Sequence, residues 1–225
     1  PWWKQTIGVP TKFSHGNFTF DIADTNKGLR NAWFSAWSPQ DNQRAIILED
    51  DIEVSSQWYL WLKKAWEAYG ERDDLAGISL QRQTLVPQLP HKQMQIVNHH
   101  KPFLYRLVGS IGFSPHWKQW RAFLNWIDSV DTSTVNIKTP GLITSDWFDV
   151  LDKRHMWTQY FIWFCKQHDL YTLYVNLPER KTLASHMRER ANTTDELRAM
   201  TLLWRLSLKW ISQLYWSNMD GMDNQ

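Results

Sequence analysis

A chain of 225 residues with 43% hydrophobic and 21% charged residues has the balance of a folded globular protein with one sizeable core, which excludes a disordered or fibrous chain. A formal net charge of +2 without a long Lys or Arg run excludes a phosphate-tracking surface, so nucleic acid is not an expected partner. The single cysteine, Cys165, excludes an internal disulfide and a thiolate metal cage, and no apolar stretch reaches the ~18 residues that a membrane span requires.

No signal peptide opens the chain, and Pro1-Trp2-Trp3 reads as the interior of something longer, so a fragment is expected. From Arg44 the run Ala45-Ile46-Ile47-Leu48 leads into Glu49-Asp50-Asp51, which reads as a buried central strand carrying carboxylates at its C-terminal end. Ligands of open α/β sheets bind at that edge. Ser55 or Ser56 can cap a following helix in which Trp58, Leu62, Ala65, Trp66 and Tyr69 form one stripe, and Gly70 stops it. Leu75 to Leu80 reads as a second buried strand, giving a strand, helix, strand crossover.

Thr84 to Lys101 lacks apolar periodicity and reads as a loop. Phe103 to Phe113 reads as a strand interrupted by Gly109-Ser110-Ile111-Gly112, with Ser114 as N-cap and Pro115 opening a helix through Ile127. After a polar linker from Asp128 to Pro140, Ser145 to Gln167 reads as mainly helical with a break near Lys153 to His155, and Tyr171 to Leu177 as a strand. Thr193-Thr194-Asp195-Glu196 forms a capping box for a C-terminal helix over 194–216 that carries Leu197, Met200, Trp204, Leu208, Ile211 and Tyr215 towards the core. The whole is read as one α/β domain over 1–225. The 16 tryptophans are assigned mainly to core and helix packing, with stacking on sugar rings as the functional alternative.

Three consecutive acids after an apolar strand raise one another's pKa unless something positive neutralises them. Read from the residues alone, Glu49-Asp50-Asp51 is either a cradle for a divalent cation or a solvated turn in which Asp51 or Ser55 caps the helix. The surroundings extend the first reading. The stretch Asn26-Lys27-Gly28-Leu29-Arg30-Asn31-Ala32-Trp33-Phe34-Ser35-Ala36-Trp37-Ser38-Pro39 ahead of Ala45 to Ser55 resembles the metal-binding region of GT-A fold glycosyltransferases. Gly77-Ile78-Ser79-Leu80, Gly109-Ser110-Ile111-Gly112, Thr144-Ser145-Asp146-Trp147 and Leu183-Ala184-Ser185-His186 follow in the family's order, so the likeness covers Phe13 to Arg190. Within that family the chain is most similar to a eukaryotic glycosyltransferase-like group, with an acid triplet like that of N-acetylglucosaminyltransferase I.

The resemblance implies a GT-A, Rossmann-like α/β sandwich that lacks its first N-terminal strand or strands, since nothing before Phe13 looks like the unit that holds the nucleotide base. It implies Mn²⁺ or Mg²⁺ bound by Asp51 and His186, with Glu49 and Asp50 holding ribose, donor sugar or metal-bound water. It makes Asp146 the general base of an inverting displacement, with His155 a weaker candidate. Lys181 and Arg188 would meet the diphosphate, and Gly109 and Gly112 would let backbone amides approach donor or acceptor. Each position also has a plain structural reading. His186 is then a surface histidine, Asp146 the first turn of a helix, Lys181 and Arg188 solvated charges, and the glycines a strand kink.

The expected function is metal-dependent transfer of a sugar from a nucleoside-diphosphate sugar to a hydroxyl of a glycan or glycoprotein acceptor. The alternatives are a catalytically inactive carbohydrate-binding or assembly module on the same fold, and a Mg²⁺ phosphoryl or nucleotidyl transferase. The sequons at Asn17 and Asn192 permit a secretory lumen, and the resemblance points to a Golgi enzyme.

Overall fold

The computed structural model describes residues 21–87, 89, 92–132, 134–142, 145 and 156–187, together with the backbone of 211–216. The elements run α1 (Gly28–Ala36), β1 (Arg44–Glu49), β2 (Ile52–Val54), α2 (Trp58–Tyr69), β3 (Leu75–Ser79), β4 (Phe103–Tyr105), β5 (Phe113–Pro115), α3 (Trp117–Ser129), α4 (Thr158–Gln167), β6 (Tyr171–Tyr174), a 3-10 turn (Pro178–Arg180), β7 (Ala184–His186) and β8 (Ile211–Trp216). They form a mixed six-stranded sheet in the order β4-β6-β3-β5-β1-β8 and a separate two-stranded sheet of β2 and β7. The protein is therefore α/β. No described helix is long and apolar enough to cross a membrane.

Strands β3 and β6 pair in parallel, while β5 is antiparallel to both β3 and β1. Consequently β1, β3 and β6 share one direction, and their C-terminal ends lie on one edge of the sheet. The expected strand, helix, strand order is present as β1, α2 and β3, with the antiparallel β5 inserted between the two parallel strands. Close approach at that insertion explains Gly77, where an added Cβ would stand 2.6 Å from the Ser114 carbonyl oxygen and 2.8 Å from the Phe113 ring.

Period-two alternation along β1, and in β3 a register irregularity between Leu75 and Gly77 that sends Ala76 and Ile78 to opposite faces, divide the buried residues between the two faces of the sheet. Ala45, Ile47, Ala76 and Phe113 join an aromatic cluster with Trp33 and Trp37 from α1 and its C-terminus, Trp120 and Phe123 from α3, and Phe161 and Phe164 from α4. Trp33 stacks on Trp157 with ring centroids 3.9 Å apart. Ile46, Ile78, Leu80 and Leu173 join Leu62, Ala65 and Trp66 of α2 on the opposite face, together with Leu183 and Ala184. The ten tryptophans whose side chains are described are all buried or half-buried, so among these residues the packing reading of the tryptophan content holds.

Three expectations change. Ser114 and Pro115 belong to β5 rather than to a helix start, because the Ser114 hydroxyl is spent inside the sheet layer, donating to the Ala45 carbonyl and accepting from the Trp66 indole N–H at 2.9 Å. The cap is His116, whose Nδ1 accepts from the Lys118 amide at 3.3 Å. Phe103 to Phe113 is two strands that do not pair with each other. β4 lies at the sheet edge beside β6 and β5 lies between β3 and β1, so 106–112 must cross from one to the other. Last, Ile211–Trp216 is a strand along the whole of β1 instead of the end of a helix. The open edge of β1 offers a full ladder of hydrogen bonds, and such tertiary pairing overrides helical periodicity in a short segment. The rest of the expected helix, 194–210, lies outside the described residues.

Candidate functional site

The site grows from the end of β1. Glu49 continues the face of Ala45 and Ile47 and is only 7% exposed, Asp50 in the turn is exposed, and Asp51 is half-buried. The triplet therefore does not act as one uniform acidic patch. Each carboxylate meets a different degree of exposure.

The chain turns at Asp50 and Asp51 into β2, which pairs antiparallel with β7 in the register Ile52 to His186, Glu53 to Ser185 and Val54 to Ala184. The ladder is prolonged at both ends, by the Met187 amide donating to the Asp51 carbonyl oxygen at 2.8 Å and the Ser55 amide donating to that of Leu183 at 2.9 Å. This register sets His186 Nδ1 3.4 Å from Asp51 Oδ2, with the two side chains 49% and 42% exposed. The acid at the end of β1 and the histidine at the end of β7 are thus brought together, half open to solvent.

β7 is in turn seated on the end of β3. The Leu80 carbonyl oxygen accepts from the Leu183 and Ala184 amides at 3.1 and 3.2 Å, and the Leu80 amide donates to Gly112 at 3.0 Å. The Thr182 hydroxyl lies within 3.1 Å of the Leu80 carbonyl oxygen and 2.8 Å of the Ala184 carbonyl oxygen, and it accepts from the Arg82 amide at 3.0 Å. Sequence reading passes over Thr182 because nothing local marks it. Its partners at 80 and 82 are about a hundred residues upstream.

The two glycines have protein neighbours. A Cβ on Gly112, whose φ is +66°, would meet Leu80 and Ala184 at 3.1 to 3.2 Å, and one on Gly109 would meet the Gln81 side chain at 2.4 Å. Gln81 Oε1 accepts from the Ile111 amide at 3.0 Å. Close packing against Gln81, Leu80 and Ala184 thus accounts for both glycines. Lys181 sits just ahead of β7 and is exposed, with its ammonium 2.9 Å from Glu179. Asp146, His155 and Arg188 lie outside the described residues, as do the sequons at Asn17 and Asn192.

Elsewhere, burial pushes the Cys165 thiol far above its ordinary value, which removes thiolate chemistry from the core. Burial likewise raises the Tyr174 hydroxyl, which donates to the Leu107 carbonyl oxygen at 2.6 Å and accepts from Gln83 Nε2 at 3.0 Å. Burial lowers His116, whose Nε2 faces the Gly70 carbonyl oxygen at 3.1 Å.

As a donor set, Asp51 and His186 supply one carboxylate and one imidazole. No group of three His, Cys, Asp or Glu side chains able to hold a metal occurs among the described residues. Two protein ligands on a half-open edge suit a hard or borderline cation that completes its shell with water and phosphate oxygens. Of the two expected ions, the carboxylate suits both, and the imidazole sits better with Mn²⁺ than with Mg²⁺, which favours oxygen ligands.

Compared with known proteins, the chain matches no family model, no curated protein and no solved structure.

Proposed function

We propose that the protein is a metal-dependent glycosyltransferase of GT-A type, which moves a sugar from a nucleoside-diphosphate donor to an acceptor hydroxyl. The observation that carries this reading is the 3.4 Å approach of His186 to Asp51 at the C-terminal edge of β1. Both residues are assigned to the metal by the sequence resemblance, they come from opposite ends of the site segment, and the β2 and β7 register joins them. The shared direction of β1, β3 and β6 supports the same reading, since open α/β sheets bind their ligands at the C-terminal edge.

When bound, Mn²⁺ or Mg²⁺ would act as a Lewis acid on the diphosphate leaving group. Asp51 and His186 would hold it at this half-open edge. Asp50, exposed in the turn, would meet donor hydroxyls or bound water. Asp146 would accept the proton of the attacking hydroxyl, a role assigned by the resemblance alone. Golgi location and a glycan or glycoprotein acceptor rest on the same basis.

The test is release of nucleoside diphosphate from a panel of nucleotide sugars with and without Mn²⁺. Wild type should show Mn²⁺-stimulated turnover, and Asp51→Asn should lower it by about a hundredfold, the scale on which loss of a charge stabiliser acts. Undiminished Mn²⁺-stimulated turnover in Asp51→Asn would reject the site.

A further inference from the structure

The metal reading names two ligands but leaves open what fixes their separation. Asp51 is anchored by the central strand β1, whereas His186 ends a three-residue strand in a two-stranded sheet, an element too small to be stable alone. Its position must be imposed from outside. In the turn leading into it Glu179 and Arg180 both have positive φ, at 55° and 59°, a conformation unfavourable for non-glycine residues, so local preference does not select this path.

Among the bonds that seat this segment on the end of β3, those of one side chain bridge the two. The Thr182 hydroxyl touches both sides of the junction, the Leu80 carbonyl oxygen and Arg82 amide on the end of β3, and the Ala184 carbonyl oxygen on β7. The Leu183 and Ala184 amides close on the same Leu80 oxygen, and Gly112 leaves just enough room for the Ala184 methyl group. From Ala184 the β2 ladder carries the placement two residues on to His186.

We propose that Thr182 is the positioning residue of the cation site. Its hydroxyl latches 182–187 onto the end of β3 and so holds His186 within reach of Asp51. The inference rests on the reading of Asp51 and His186 as cation ligands. It adds that cation binding and docking of this segment are one coupled equilibrium, so each must strengthen the other.

Two readouts separate the latch from the metal reading. One is Mn²⁺ affinity by calorimetry, without any nucleotide sugar. The other is hydrogen exchange of the Ser55 and Met187 amides, whose acceptors are Leu183 and Asp51, with the β1 amides as internal reference. Thr182→Val keeps the shape and removes the hydroxyl. It should weaken Mn²⁺ at least tenfold and speed exchange at Ser55 and Met187 at least tenfold, with β1 exchange unchanged. Thr182→Ser should restore both to within about threefold, the rescue expected if the hydroxyl itself acts. Wild-type Mn²⁺ affinity and exchange in Thr182→Val would overturn the latch.

Should wild type bind Mn²⁺ and Asp51→Asn lose it while Thr182→Val keeps it, the latch fails and the metal reading stands. Should wild type bind no Mn²⁺ while Thr182→Val still frees the two amides, the metal reading fails and the latch stands as a docking device. If Thr182→Val does not fold, wild type alone decides. Saturating Mn²⁺ must then slow exchange at Ser55 and Met187, and unchanged exchange overturns the coupling.

Discussion

Replacing Gly112 by alanine tests the seating of β7 most directly. Its φ of +66° lies in the left-handed region, where an alanine costs about 1 kcal/mol. The added Cβ would also stand 3.1 Å from the Leu80 Cβ and 3.2 Å from that of Ala184. Both atoms are fixed to backbone that is hydrogen-bonded on this edge, so neither can swing away, and overpacking of this kind costs about 1 to 3 kcal/mol. The sum is about 2 to 4 kcal/mol, a large share of the roughly 5 to 15 kcal/mol that holds an ordinary domain together. Gly109 is the internal control. There the Cβ would meet Gln81 side-chain atoms, which can rotate out at the expense of the bond to the Ile111 amide, about 1 kcal/mol. Urea titrations read at a common slope give the two values. Gly112→Ala should be the more destabilising by at least ~1 kcal/mol. A Gly112→Ala protein within ~0.5 kcal/mol of wild type, or a costlier Gly109→Ala, would show that β7 is not wedged between β3 and this glycine.

Acidification should expose His116. Its Nδ1 accepts from the Lys118 amide and its Nε2 donates to Gly70, so the folded protein uses the neutral ring, and burial, first among the causes, lowers its pKa. As pH falls below the unfolded value of about 6.5, the unfolded chain takes up a proton that the folded one refuses, so stability declines until the folded pKa is reached. Urea midpoints between pH 7.5 and 5.5 should therefore fall in wild type and fall less in His116→Gln; equal slopes would contradict this. Tyr174→Phe removes a buried hydroxyl and leaves Leu107 and Gln83 each short of a partner, at a cost of about 1 to 3 kcal/mol by the same titration, and a neutral substitution would mean that water replaces it.

The parts of the fold that were legible in the sequence are those fixed by short-range pattern. The apolar run at Ala45 to Leu48 and the fully buried Leu75–Ser79 announce central strands, and the stripe through Leu62, Ala65 and Trp66 announces the helix between them. The failures all occur where a distant partner decides. Ser114 has the chemistry of a cap, but Trp66 and Ala45 claim its hydroxyl. Ile211–Trp216 has helical spacing, but the edge of β1 pairs with it residue by residue. In the candidate site, Asp51 and His186 were readable as types placed after strands, whereas their contact depends on the β2 and β7 register, and Thr182 depends on Leu80 and Arg82.

The division of the core also bears on function. Of the ten described tryptophans, Trp33, Trp37, Trp117, Trp120, Trp126, Trp157 and Trp163 belong to the aromatic cluster on one face of the sheet. The residues that seat the site, Ile52, Val54, Leu183 and Ala184, pack into the other face with Leu62, Trp66 and Leu80. The indole-rich layer therefore stabilises the scaffold without lining the Asp51 and His186 edge. For those seven indoles tryptophan content is an argument about packing, whereas Trp58, Trp61 and Trp66 pack in the cluster that seats the site. Truncating an indole of that layer, such as Trp120, should cost several kcal/mol as large buried aromatics do, yet leave the relation between Asp51 and His186 unchanged in whatever fraction remains folded. Thr182→Val should do the reverse, with little change in global stability and a large change at the site. That contrast follows from the topology, in which the sheet stands between the aromatic layer and the segments that carry Asp51 and His186.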